Sequence, residues 1–188
     1  MIVAITGGIG SGKSVVSRIL RLLGYSVYDS DTQAKRLMND SPSLRYGLVK
    51  AFGEKLYKNG CVDAKYLSSI VFSDASKLAV LNSLVHPAVR ANILHWAEQS
   101  EGLVFVETAI PYSSGVHLIV DKIWRVDAPE SVRVRRVMMR NGLSEAQVER
   151  RVASQASEMA RPPKEVLIIN DGVKAVTPQI VANLKFLK

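Results

Sequence analysis

Ile2-Val3-Ala4-Ile5-Thr6-Gly7-Gly8-Ile9-Gly10-Ser11-Gly12-Lys13-Ser14-Val15 stands near the start of the chain. Residues 2–5 form the unbroken apolar run of a buried strand, and residues 15–23 carry helical spacing. Between them, residues 7–14 meet the phosphate-binding pattern G-x-x-x-x-G-K-[ST] at every fixed position. Strand, loop and helix follow in the order this motif requires. Its glycines let successive backbone N–H groups turn toward an anion, and the helix N-terminus points at the same place. On this reading Gly8, Ile9, Gly10, Ser11, Gly12, Lys13, Ser14 and Val15 hold the phosphates of a nucleoside triphosphate. Lys13 supplies positive charge to the β- and γ-phosphates, and Ser14 offers its hydroxyl to a magnesium ion. The motif names a triphosphate but no reaction. Thr6 either faces a second substrate or only ends the strand.

The rest of the chain alternates strands with helices. Residues 25–28 alternate in character and end at Asp29. Residues 103–107 are apolar up to Glu107, residues 119–126 read as a further strand, and residues 166–169 lead to Asn170. Residues 31–39, 63–73 and 75–99 are read as helical, Pro87 being expected to break or restart the last, and another helix begins at Ser41-Pro42-Ser43 and runs to Phe52-Gly53. Asn59-Gly60 marks a turn. Helices are also expected over 130–140, from residue 144, and from about Pro178. This pattern implies an α/β fold, a parallel sheet flanked by helices, with ligands beyond the carboxyl ends of the strands. The polar residues of note stand at those ends: the loop at 7–14, Asp29, Asp31, Glu107 and Asn170. The stretch 30–102 is too long for a simple crossover and is expected to form a helical cap over an acceptor.

With 188 residues and 47% hydrophobic content, the chain is sized for one substantial core. It has no apolar stretch of roughly 18 residues, so no membrane span is expected. The apolar start is too short for a signal peptide. The single cysteine, Cys61, excludes an internal disulfide and makes a reducing cytoplasm the simplest compartment. Net charge is +8, from 25 basic and 17 acidic residues. That balance fits nucleic acid or a substrate with several phosphates. The second is favoured by seven arginines with no lysine between 133 and 161: Arg133, Arg135, Arg136, Arg140, Arg150, Arg151 and Arg161. Any one of them is equally explained as part of a solvated helix face.

Phosphoryl transfer to a hydroxyl needs a proton acceptor. Asp31, in the first turn after the second strand, either fills that role or caps its helix. Asp29 contacts Lys13, a metal's water shell, or neither. Glu107 either holds metal-bound water or is a solvent-facing strand end. His86, before Pro87, is either a packed residue or an acceptor contact. His95 and His117 carry no signal, and Trp96 and Trp124 are expected in the core.

In its residue pattern the chain resembles the dephospho-CoA kinases, and the resemblance covers nearly all of it. Residues 6–14 match that family's loop with its preceding threonine, and Asp29-Ser30-Asp31 matches an Asp-x-Asp after the second strand. Phe52-Gly53, Asp63, Leu67, Phe72, Leu84 and His86-Pro87 match the acceptor-binding insert. Arg136 and Arg140 match arginines before the lid. Arg151 and Gln155 match the lid's Arg-[IV]-x-x-Gln, and Asn170 and Gly172 the end of the last strand near adenine. The resemblance implies a single P-loop kinase unit over 1–188. Its core is 1–29, 103–140 and 162–188, with a helical acceptor insert at 30–102 and an arginine-rich lid at 141–161. It implies transfer of the ATP γ-phosphate to the ribose 3′-hydroxyl of dephospho-CoA, the last step of CoA biosynthesis. Asp31, Lys13 and Arg140 are then the catalytic residues. Arg136, Arg140 and Asn170 join the loop on ATP, Ser14 ligates Mg2+, and Thr6, Asp31, Lys35, His86 and Glu107 meet the acceptor. No nucleic acid or membrane partner is expected, and the state is monomer or weak homo-oligomer.

Departures from the family pattern are Lys35 and Ala64 in place of arginines, Lys164-Glu165 for an Ala-Asp pair, and Ile169 for an acid. Residues 109–113, Ala-Ile-Pro-Tyr-Ser, replace Pro-Leu-Leu-Phe-Glu and so lack its glutamate. The alternative reading is another small-molecule or nucleotide P-loop kinase. A GTPase would need a guanine-reading Asn-Lys-x-Asp, which the sequence lacks.

Overall fold

A computed structural model describes residues 1–71, 73–159 and 166–187. Phe72, Arg161, Lys164 and Glu165 of the sequence reading lie outside them. The chain divides into two compact units, Met1–Tyr28 with Ala97–Lys188, and Asp29–Trp96.

The first unit is built on a five-stranded sheet of β1 (Ile2–Thr6), β2 (Ser26–Asp29), β5 (Val104–Glu107), β6 (Lys122–Asp127) and β7 (Val166–Ile169). The strand order is β2-β5-β1-β6-β7. The β1–β5, β1–β6 and β6–β7 pairs are parallel, with Ile5 opposite Glu107 and Trp124. The central strand β1 is buried on both faces, which is why its sequence is a continuous apolar run. Val3 and Ile5 pack with Phe105, Trp124, Val126 and Ile168, against Val16 and Leu20 of α1 (Lys13–Leu22) and Ile180 and Leu184 of α9 (Val176–Lys185). Phe105 is the aromatic hub. Tyr25 meets it edge-on at 5.5 Å and Trp124 tilts against it at 5.2 Å. α6 (Glu130–Asn141) and α7 (Glu145–Ser154) make a second apolar cluster from Val134, Val137 and Val148, onto which Ile9 packs. A Ser144–Gln147 capping box starts α7, and the short α8 (Ala156–Met159) follows it.

In the second unit, α2 (Ser30–Asp40), α3 (Pro42–Phe52), α4 (Ala64–Val71) and α5 (Ala75–Glu98) surround a two-stranded hairpin, β3 (Tyr57–Lys58) and β4 (Cys61–Val62). Its turn is Asn59-Gly60, where Asn59 has a φ of 51° and Gly60 one of 83°, the left-handed pair that two-residue hairpins favour. Arg45 stacks on the Tyr57 ring at 4.1 Å and donates to Gly60 O, while Tyr57 donates its hydroxyl to Met38 O. These contacts tie the hairpin to α2 and α3.

Three sequence expectations are corrected. Pro87 does not break its helix: α5 runs unbroken from Ala75 to Glu98. Proline costs about 3 kcal/mol inside a helix, and Val85, Val89 and Ile93 bury one face at i, i+4 spacing on both sides of it. β6 begins at Lys122 rather than 119, because Asp121 Oδ2 takes the first amide of β1, Ile2 N–H, at 2.7 Å. Trp124 is fully buried, but Trp96, near the end of α5, is only half-buried.

Tyr28 on β2 is 4% exposed, and burial pushes its phenol up to about 12. A phenol whose folded value is raised contributes stability that is full below pH 10 and lost as pH climbs toward 12. The loss is roughly 2–3 kcal/mol, the worth of a phenol pKa that lies at about 12 in the folded chain and near 10 in the unfolded one. Tyr28→Phe should flatten the stability decline between pH 10 and 12, read from urea midpoints of both proteins. Parallel slopes would remove Tyr28 from this role.

Candidate functional site

The phosphate loop lies at the carboxyl end of β1, and α1 starts within it at Lys13. Gly12 precedes α1 with φ +97°, and a β-carbon there would collide with Asn170 Nδ2. Only glycine fits both demands. A loop whose N–H groups face a ligand must point carbonyls elsewhere, and those need donors. The structure supplies them from side chains distant in sequence. Asn170 Nδ2 donates to Ser11 O at 2.8 Å. Arg136 donates to Gly10 O at 3.4 Å and to Asn170 O at 2.9 Å, so one guanidinium ties the loop to the end of β7. Lys13 Nζ lies across the loop on Gly7 O at 2.8 Å. Ser14 and Val15 are exposed.

Two further side chains reach the loop that sequence reasoning gave no role there. Arg133 lies over Gly8, its Nη1 in the space a β-carbon would fill. Its Nε donates to Ala128 O at 3.1 Å, and Nη2 stands 3.7 Å from Glu130, with the side chain 14% exposed. Gln155, at the end of α7, accepts Ile9 N–H at 2.7 Å. Arg133 and Gln155 share a cavity of about 480 Å³ with Glu130 and Glu149. The arginine cluster was the only sequence signal for Arg133. The motif match that singled out Gln155 said nothing of its partner.

The other arginines divide. Arg135, Arg140, Arg150 and Arg151 are exposed, and Arg140 Nε donates to Asn141 Oδ1 at 2.7 Å. Thr6, the last residue of β1, is fully buried, and its hydroxyl has no hydrogen-bond partner among the described residues. A buried hydroxyl left unpaired is an exception that calls for a ligand or a water. Glu107 ends β5 half-buried. After Asn170, the Lys174 and Val173 amides donate to Asp171 and hold its carboxyl below the usual range.

In the second unit, α2 resolves the two aspartates. Asp29 is the cap: its Oδ1 accepts Asp31 N–H at 3.1 Å and Thr32 N–H at 3.0 Å, and its Oδ2 accepts the Thr32 hydroxyl at 2.9 Å. The capping role offered to Asp31 therefore belongs to Asp29. Asp31 is exposed, and its carboxylate makes no hydrogen bond or ion pair among the described residues. Lys35 lies one turn further along α2, also exposed, and His86 lies half-buried in α5.

Asn170→Ala removes one loop donor but leaves the Arg136 contact, which is to backbone. A lost hydrogen bond of this kind is worth about 1–1.5 kcal/mol, so the KM for ATP should rise about tenfold. An unchanged KM would show that Ser11 O needs no protein donor.

Comparison with known proteins places this geometry in a family. The dephospho-CoA kinase family model matches residues 1–175. The dephospho-CoA kinase of Porphyromonas gingivalis is 41% identical over 182 residues, covering 95% of this chain and 90% of that protein. The Geobacter sulfurreducens dephospho-CoA kinase is 39% identical, covering 91% and 90%. Among solved structures, a Thermus thermophilus protein superposes with TM-score 0.80 at 33% identity, covering 99% of this chain and 95% of that one. The Campylobacter jejuni dephospho-CoA kinase gives 0.71 at 25%, covering 98% and 95%. Shikimate kinase from Aquifex aeolicus, with TM-score 0.54 at 16% identity, shares the fold. With a phosphate loop on a parallel sheet and this likeness along nearly its whole length, the chain belongs to the dephospho-CoA kinase family.

Proposed function

We propose that this protein transfers the γ-phosphoryl group of ATP to the ribose 3′-hydroxyl of dephospho-CoA, giving CoA and ADP. The observation that carries the reading is the fastened phosphate loop, in a chain of this family. The loop amides and Lys13 hold the β- and γ-phosphates. Arg136 and Asn170 hold the Gly10 and Ser11 carbonyls, which limits the rearrangement the loop needs when charge develops on the transferring group. Arg140, in the last turn of α6, covers that group. Asp31 orients the 3′-hydroxyl and accepts its proton, for which its unengaged carboxylate is suited. Lys35, His86, Thr6 and Glu107 are the further acceptor contacts of this reading.

The residues also fit a divalent cation. Ser14 is exposed at the start of α1, and its hydroxyl makes no hydrogen bond among the described residues. A hydroxyl oxygen suits a hard ion. No cluster of three or more His, Cys, Asp or Glu suited to a metal occurs among the described residues, which fits an ion that arrives with the nucleotide. Bound Mg2+ would offset negative charge on the β- and γ-phosphates.

The deciding experiment supplies purified protein with ATP and dephospho-CoA and follows CoA and ADP by chromatography. Stoichiometric CoA is the expected result. Turnover of a different alcohol acceptor, with no CoA formed, would overturn the assignment and favour another small-molecule kinase.

A further inference from the structure

We infer that Glu158 is a positioning residue for the phosphate loop, acting through Gln155. Glu158 lies in α8 and is 4% exposed. Its Oε2 accepts Tyr112 N–H at 3.0 Å and its Oε1 accepts Ser113 N–H at 2.8 Å. Each carboxylate oxygen thus sits on a backbone amide about 45 residues away in sequence. A buried carboxylate shifted off its donors is left unsatisfied, which costs more than an ordinary hydrogen bond returns. Glu158 therefore fixes where the end of the lid meets the loop after β5.

That loop is a firm anchor. Ser114 donates through its amide and its hydroxyl to Ile110 O, and His117 N–H donates to Pro111 O. At its base, Thr108 N–H donates to Ile5 O at 3.0 Å, which joins it to the strand that carries the phosphate loop.

Gln155 stands within one turn of Glu158. Glu158 N–H donates to Gln155 O at 3.1 Å, so the two residues move together. Gln155 in turn holds Ile9 N–H, while Ile9 packs its side chain on the α6–α7 cluster. A displacement at Glu158 is carried through one backbone turn to an amide of the phosphate loop. Ser113 stands where the family pattern has glutamate. In this chain a carboxylate reaches the same segment from the lid side.

The inference rests on the loop being the ATP site, and a double-mutant cycle tests it. Glu158→Gln keeps the shape but puts an NH2, which cannot accept, against one of the two amides. The KM for ATP should rise about tenfold, with kcat falling by less. Gln155→Ala should do the same, and the double variant should be no worse than the worse single. Glu158→Asp, charged but one methylene short, should fall between wild type and Glu158→Gln, and covers the case in which Glu158→Gln does not fold. Additive effects on the KM for ATP, or a lowered melting temperature with that KM unchanged, would reduce Glu158 to a structural anchor. Full activity in Lys13→Ala would instead overturn the ATP-site reading beneath it.

Discussion

Lys13→Ala should lower kcat/KM for ATP by on the order of 10³-fold, the scale of losing a preorganised donor at a transferring phosphoryl group. Lys13 is the first residue of α1, so its backbone position is set by the helix start and not by its side chain. Its Nζ lies on Gly7 O at 2.8 Å, held across the loop where the phosphates are proposed to bind. Alanine is a strong helix former, so α1 should persist. The melting temperature should therefore move little while turnover collapses. Lys13→Arg keeps the charge, but its planar fork is longer and would not restore the rate, since a bidentate group does not replace a point charge in a fitted loop. Steady-state kinetics with ATP and dephospho-CoA check this. A loss under tenfold would take Lys13 out of phosphate binding.

Asp31→Asn should cost 10²-fold or more in kcat, the range of general-base catalysis. The structure separates this variant from its neighbour. Asp29 holds the start of α2 through the Asp31 and Thr32 amides, and Asp31 makes no such contact. Asp29→Ala should therefore cost about 1 kcal/mol of stability, as lost caps do, whereas Asp31→Asn should leave the melting temperature in place. Single-turnover phosphoryl transfer and thermal melts of the two variants read the difference. An unchanged kcat in Asp31→Asn would move the base elsewhere. A melting loss equal to that of Asp29→Ala would show that Asp31 supports the fold.

Much of the sheet was legible because strands and phosphate loop are local features. Residues 2–5 and 103–107 read as strands because a strand buried on both faces must be apolar at nearly every position; residues 166–169 are as apolar, yet form the edge strand β7, where Leu167 is 52% exposed. The loop read correctly because its demands are local and steric, above all glycine at Gly12, where φ is +97°. Pro87 misled because proline propensity is local, while the burial of Val85, Val89 and Ile93 that overrides it is not. Asp29 and Asp31 were ambiguous because both residue types and both positions suit a helix start. Only the tertiary structure decides which carboxylate the amides take.

The sequence by itself determined the fold class, the phosphate-binding loop and the family. All three rest on residue spacing along a short stretch or on an ordered set of such stretches. Only the tertiary structure decided what fastens the loop. Arg136 and Asn170 reach its carbonyls from 126 and 159 residues away, Gln155 takes the Ile9 amide, Arg133 lies over Gly8, and Glu158 seats α8 on Tyr112 and Ser113. A loop that turns its amides inward leaves carbonyls facing out. Which distant side chains answer them is settled by how the strands and helices pack, and neighbouring residues do not record it.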